Sequence, residues 1–85
     1  MLTFSDIYEA MRKEKYSENL RILPKAFLVG VSDYFREKKA FLDKEGDLFS
    51  DVAIKSKKKL DNAHTSFRDL LRIRKKKILN LAFVA

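Results

Sequence analysis

Eighty-five residues suffice for one domain with a single core and not for two. An apolar content of 46% argues against disorder, two glycines and one proline leave little room for turns, and the lack of cysteine excludes a disulfide framework and a thiolate metal site. The net charge of +7 is placed unevenly, with nine basic and nine acidic side chains in residues 1–47 against ten and three in residues 48–85. No charge-free apolar run approaches the roughly 20 residues of a membrane span, and the N-terminus lacks the layout of a signal peptide, so a soluble intracellular protein is expected.

Few turns predict few, long elements. Thr3, with Asp6 three residues on, or else Ser5, can cap a first helix that places Phe4, Ile7, Tyr8 and Met11 on one face and runs to about Lys15. Ser17 can cap a short turn containing Leu20. Pro24 marks the next boundary, because proline suits the first turn of a helix and pushes Leu23 out of helical geometry. Phe27, Leu28, Val31, Tyr34, Phe35, Phe41 and Leu42 then give a second helical stripe, with Gly46 as the expected C-cap. Gly30 inside it marks either a close crossing or a tolerated surface glycine, at about 1 kcal/mol relative to alanine.

Asp47, or Ser50 with Asp51, can cap the third and dominant helix, which is expected from about Leu48 to the C-terminus. Apolar or small residues recur at Phe49, Val52, Ser56, Leu60, Ala63, Phe67, Leu70, Leu71, Ile78 and Leu81, in the three- and four-residue steps of one helix face. The weak helix formers His64, Thr65 and Ser66 allow a local break, although the stripe continues in register through them. A helix of this extent is roughly 50 Å long, more than a compact monomer of this size covers by itself. Such a helix serves an assembly. Arg74 falls on the stripe, and a guanidinium on a buried seam requires a carboxylate from another element.

Lys57-Lys58-Lys59 and Lys75-Lys76-Lys77 are five complete turns apart, so the two triplets share an angular position about 27 Å apart along an ideal helix. With Arg68 and Arg72 between them they form a basic ridge opposite the apolar stripe. Lys57, Lys58, Arg68, Lys75 and Lys76 are therefore candidate contacts for a nucleic-acid backbone or an acidic partner, without a base-reading constellation; a solvated face is the plain alternative. Leu79 and Phe83 project from the polar side while Ile78 and Leu81 hold the other. The helix end is thus apolar nearly all round and must be covered.

The blocks Tyr8-Glu9-Ala10-Met11-Arg12-Lys13-Glu14-Lys15 with Ser17 and Leu20, then Leu23-Pro24 with Phe27, then Leu70-Leu71-Arg72-Ile73-Arg74-Lys75-Lys76-Lys77-Ile78-Leu79-Asn80-Leu81-Ala82, resemble in order the helical domain of the archaeal GINS replication factors. The resemblance implies an all-α, GINS-like bundle of three main helices over residues 1–85, the last one long, without the small β-rich domain of the family; the chain then reads as a truncated or shortened member. It further implies that Glu14 faces the arginines of the last block, pairing with Arg74 and, as second choice, Arg72. The partners it implies are other GINS subunits in a homo- or heterotetramer, the MCM helicase and a Cdc45/RecJ-like protein, in the nucleoid-associated cytoplasm of an archaeal cell. The role it implies is a non-catalytic scaffold in replication initiation and elongation. Subunit contacts are expected at Phe67, Leu71, Ile78, Leu79, Leu81 and Phe83, and core positions at Tyr8, Met11, Phe27 and Leu60.

Nothing in the residues assembles a catalytic, cofactor or metal site. The lone His64 has no cysteine nearby and only Asp61 three residues before it, the arrangement of a surface or satisfied histidine. No phosphate-binding glycine loop is present. The alternative from another class is a stand-alone basic helical module that binds nucleic acid without sequence preference.

Overall fold

The computed structural model describes residues 1–44, 46–47 and 49–84, without the side chain of residue 84. Among the described residues every regular element is a helix: α1 (Phe4–Lys15), α2 (Lys25–Lys44) and α3 (Asp51–Val84). The protein is an all-α bundle with a long C-terminal helix. At 34 residues α3 measures about 51 Å by the standard rise, and it sets the 54 Å long axis of the molecule.

Local chemistry starts each helix. The Thr3 hydroxyl accepts from the Asp6 N–H while the Asp6 carboxylate accepts from the Thr3 N–H, a reciprocal cap that opens α1 at Phe4 and leaves Ser5 inside the helix. Pro24 serves α2 from the cap position, where its carbonyl accepts from Phe27 and Leu28. Ser50 caps α3 through Ala53, and Asp47 instead closes the turn before it by accepting from the Phe49 N–H. The expected start at Leu48 lies outside the described residues, as does Ala85 at the far end. Gly46 does not supply the expected left-handed cap, since none of the described glycines has a positive φ.

The core lies where α1 and α2 meet the middle of α3. Ile7, Val31, Tyr34 and Ala63 are buried together, with Leu2, Phe4, Phe27, Phe35, Leu60 and Phe67 packed around them. Tyr8, expected here, is 42% exposed. The buried face of α1 is centred on Ile7 and Glu14, seven residues apart, and Tyr8 is rotated off that line to stack on Phe4 at 6.3 Å. Met11, Phe27 and Leu60 are half-buried. Gly30 marks a close approach, although what crosses it is the N-terminal segment: a Cβ there would meet Leu2 at 3.1 Å.

No break occurs at His64-Thr65-Ser66, and the packing of the first and last of these explains why. The His64 ring stacks on Phe35 with centroids 4.1 Å apart, Thr65 donates to the Asp61 carbonyl, and Ser66 is buried. Tertiary packing here overrides weak intrinsic propensity.

Candidate assembly interface

Along α3 the positions Ala63, Ser66, Leu70 and Lys77 are spaced by three, four and seven, so they lie on one line facing α1. The small residues Ala63 and Ser66 let α1 approach closely. Ile7 meets this line at Ala63 and Glu14 meets it near Lys77, so α1 runs in the same direction as α3.

Glu14 is the charged centre of that contact, at 1% exposure. Its Oε1 accepts from Arg74 Nη1 at 2.9 Å and its Oε2 from Lys77 Nζ at 2.6 Å. The Arg21 N–H donates to Oε2 at 3.3 Å. Each cation also reaches the segment between α1 and α2: Arg74 Nη1 donates to the Arg21 carbonyl at 2.6 Å, and Lys77 Nζ donates to the Glu14 carbonyl at 2.7 Å and the Asn19 carbonyl at 3.0 Å. All three ammonium protons therefore have acceptors. The ammonium also sits at the C-terminal end of α1, where the helix dipole favours a cation. Burial by itself raises the Glu14 pKa, but the hydrogen bonds from Lys77, Arg74 and the Arg21 backbone outweigh it and hold the carboxyl below the ordinary carboxylate range. The cluster ties α1, the connection and α3 to one point.

Sequence reasoning placed Lys77 on the outer ridge. In the structure it is 14% exposed and belongs to this cluster. The available signal was its distance from Arg74: three residues along a helix, a residue shares the face of its neighbour. Arg72, the second choice for Glu14, pairs instead with Asp69 at 3.4 Å in solvent. Two residues from Arg74 it is rotated more than half a turn, away from α1. The backbone partners at Asn19 and Arg21 have no signature in the sequence.

The remaining candidates divide into two groups. Phe67, expected at a subunit contact, packs within the chain, its ring edge-on to Phe35 at 6.1 Å. The other five are exposed: Leu71 at 45%, Ile78 at 51%, Leu79, Leu81 and Phe83 at up to 87%. Leu71 is rotated off the line that faces α1, and α1 itself ends beside Lys77, past which Glu18, Asn19 and Leu20 of the connection lie near Asn80 and Leu81 of α3. Lys57, Lys58, Arg68, Lys75 and Lys76 all face solvent, and among the described residues no acid lies within ion-pair distance of them.

Other surface features carry less. A shallow groove at the α2–α3 corner is lined by Leu42, Phe49, Ala53, Ile54 and Leu60. Among the described residues no group of three or more histidine, cysteine or acidic side chains is arranged to hold a metal ion. None of the described helices is long and apolar enough to cross a membrane. No family model matches the chain, and no curated protein or solved structure matches it either.

Proposed function

We propose that this chain is a non-catalytic assembly subunit of the GINS type, a helical scaffold that joins other GINS subunits and links the MCM helicase to a RecJ-like companion at the replication fork. The observation that carries the reading is the uncovered apolar surface on the distal part of α3, at Leu71, Ile78, Leu79, Leu81 and Phe83. Several large apolar side chains left exposed at one end of a helix mark a place where another polypeptide packs. A second support is that the first and last sequence blocks carrying the resemblance are the two that meet at Glu14, Arg74 and Lys77. On this reading those motif residues hold the helices at a fixed angle and do no chemistry.

The experiment is the solution mass by light scattering, for the chain alone and mixed with purified archaeal GINS subunits, at low and at about 0.5 M salt, where electrostatic contacts are screened. A complex that survives the higher salt and is lost in Ile78→Asp is the expected result. A chain that stays monomeric in every mixture overturns the reading.

The exposed cations that have no acidic partner among the described residues favour a second reading, a basic module lying along a nucleic-acid backbone. It requires a monomer whose duplex-DNA affinity falls steeply with salt. Removing Lys75 and Lys76 together would then flatten the log–log salt slope by about 2.

A further inference from the structure

We infer that the side of the bundle turned away from α2 binds single-stranded nucleic acid, with bases on Tyr8 and Tyr16 of α1 and phosphates on Lys15 of α1 and Lys58 and Lys76 of α3. The inference rests on the nucleic-acid reading above and adds the strand type, the side of the bundle and a second helix.

Two parallel helices build the site. Ile7 and Glu14 mark the line of α1 that faces α3. The residues one before them, Asp6 and Lys13, line a groove against Ile22, Leu23, Pro24 and Phe27, so that flank of α1 belongs to the connection and α2. The residues one after them, Tyr8 and Lys15, are turned about 100° from the line onto the opposite flank. On α3 the line facing α1 is Ser66, Leu70 and Lys77, and Phe67, one after Ser66, meets Phe35 of α2. In parallel helices packed face to face, the residue before an inner position of one lies on the same side as the residue after an inner position of the other. Lys76 therefore shares the side of Tyr8 and Lys15, and Lys58, five turns earlier, repeats its angle about 27 Å away. Lys75 falls toward α2.

The residue types on this side select the ligand. Tyr8, Arg12, Lys15 and Tyr16 recur at i, i+4, i+7 and i+8, an outer stripe of α1 that mixes rings and cations. Core packing does not account for the rings, since Tyr8 stays 42% exposed while stacked on Phe4, and Tyr16 is 74% exposed. Lys15 Nζ lies 5.8 Å from the centre of the Tyr16 ring. Among the described residues Lys15, Lys58 and Lys76 have no acid within ion-pair distance, and Asp69, the acid on α3 nearest to Lys76, is paired with Arg72. Such cations alone would suit any polyanion. Exposed tyrosines beside them favour one that brings flat faces to stack, which an acidic peptide lacks and a duplex keeps inside its own stack. An unpaired strand engages both.

The test is fluorescence anisotropy of the full chain with a labelled oligothymidylate of about 15 nucleotides, the same strand paired in a duplex, and a polyglutamate peptide of similar charge, at about 0.1 M salt. The single strand should bind tighter than either by about tenfold or more. Tyr8→Leu and Tyr16→Leu, with unchanged circular dichroism, should each weaken it by about fivefold or more, whereas Phe49→Leu, an exposed ring at the α2–α3 corner, should leave it unchanged. Lys15→Gln and Lys76→Gln should each flatten the single-strand log–log salt slope by about 0.7, and Lys75→Gln should not. A duplex bound as tightly as the single strand, or binding indifferent to both tyrosine variants, overturns the inference; where Lys75 and Lys76 still set the duplex salt slope, the backbone reading stands. Polyglutamate bound as tightly as the oligonucleotide overturns the inference in favour of an acidic protein partner. A chain that binds no nucleic acid overturns both the inference and the nucleic-acid reading.

Discussion

Lys57 to Lys59 and Lys75 to Lys77 are the same three residues at the same angle of one helix, yet they end in different surroundings. Lys59 faces solvent near Leu2 and Tyr34, while Lys77, its equivalent five turns on, is enclosed and gives all its protons to Glu14 and Asn19. The intrinsic chemistry of the two side chains is identical. What differs is the neighbour, because α1 brings a buried carboxylate to one of them and nothing comparable to the other. A basic residue's position on the wheel of one helix therefore says where it points and leaves open what it meets.

The most disruptive way to break this contrast is Glu14→Ala, which leaves Arg74 and Lys77 beside a buried seam without their carboxylate. A loss of about 3–5 kcal/mol in unfolding free energy is expected by denaturant titration. A loss under about 0.5 kcal/mol would mean that the cluster is bridged by solvent and does not hold α1.

The paired substitutions Lys77→Met and Lys59→Met sharpen the comparison at the next level. Lys77→Met removes one charge-assisted bond to the Glu14 carboxylate and two to the backbone carbonyls of Glu14 and Asn19 but leaves Arg74 in place, and should cost about 1.5–3 kcal/mol. Lys59→Met should lie within about 0.5 kcal/mol of zero. Equal effects at the two sites would erase the distinction.

Acid provides the mildest probe, and its sign follows from Glu14. The folded state holds this carboxyl below its unfolded pKa, so the contribution is present above the unfolded value near 4.5 and is lost as pH falls through the lower folded one. Stability measured from pH 6 downward should decline more steeply in the wild type than in Glu14→Gln. Parallel curves would assign the acid limb to other carboxylates. At the alkaline end Tyr34, raised by burial, acts in the opposite sense: its contribution is present below pH 10 and lost as pH rises through the folded value.

Much of the fold was legible from side-chain periodicity. The three helices and their order followed from apolar spacing, while Thr3 and Ser50 were each one of two caps on offer, against Ser5 and Asp47, and the structure decides between them. The requirement that Arg74 find a carboxylate was readable too, because a cation on an apolar stripe has few alternatives. The identity of that carboxylate came from the order of motif blocks, and the structure brings Glu14 within 2.9 Å of Arg74. Tyr8 was misplaced because it sits near the edge of a helical face, where a small difference in the direction of approach of the neighbouring helix decides between core and solvent. Lys77 was misplaced for another reason: it lies in the middle of the line facing α1, and reading it with Lys75 and Lys76 as one basic run hid its register with Ala63 and Leu70.

The sequence by itself determined the elements, their lengths and the excess of apolar and basic surface on α3, since these depend on short-range periodicity and composition. Tertiary structure alone decided which cations of α3 are enclosed and which apolar residues stay bare. That outcome depends on where a 12-residue α1 and a 20-residue α2 come to rest along a 34-residue α3. Their resting place is set by packing Ile7, Val31 and Tyr34 against Ala63, a non-local event that no single helix encodes.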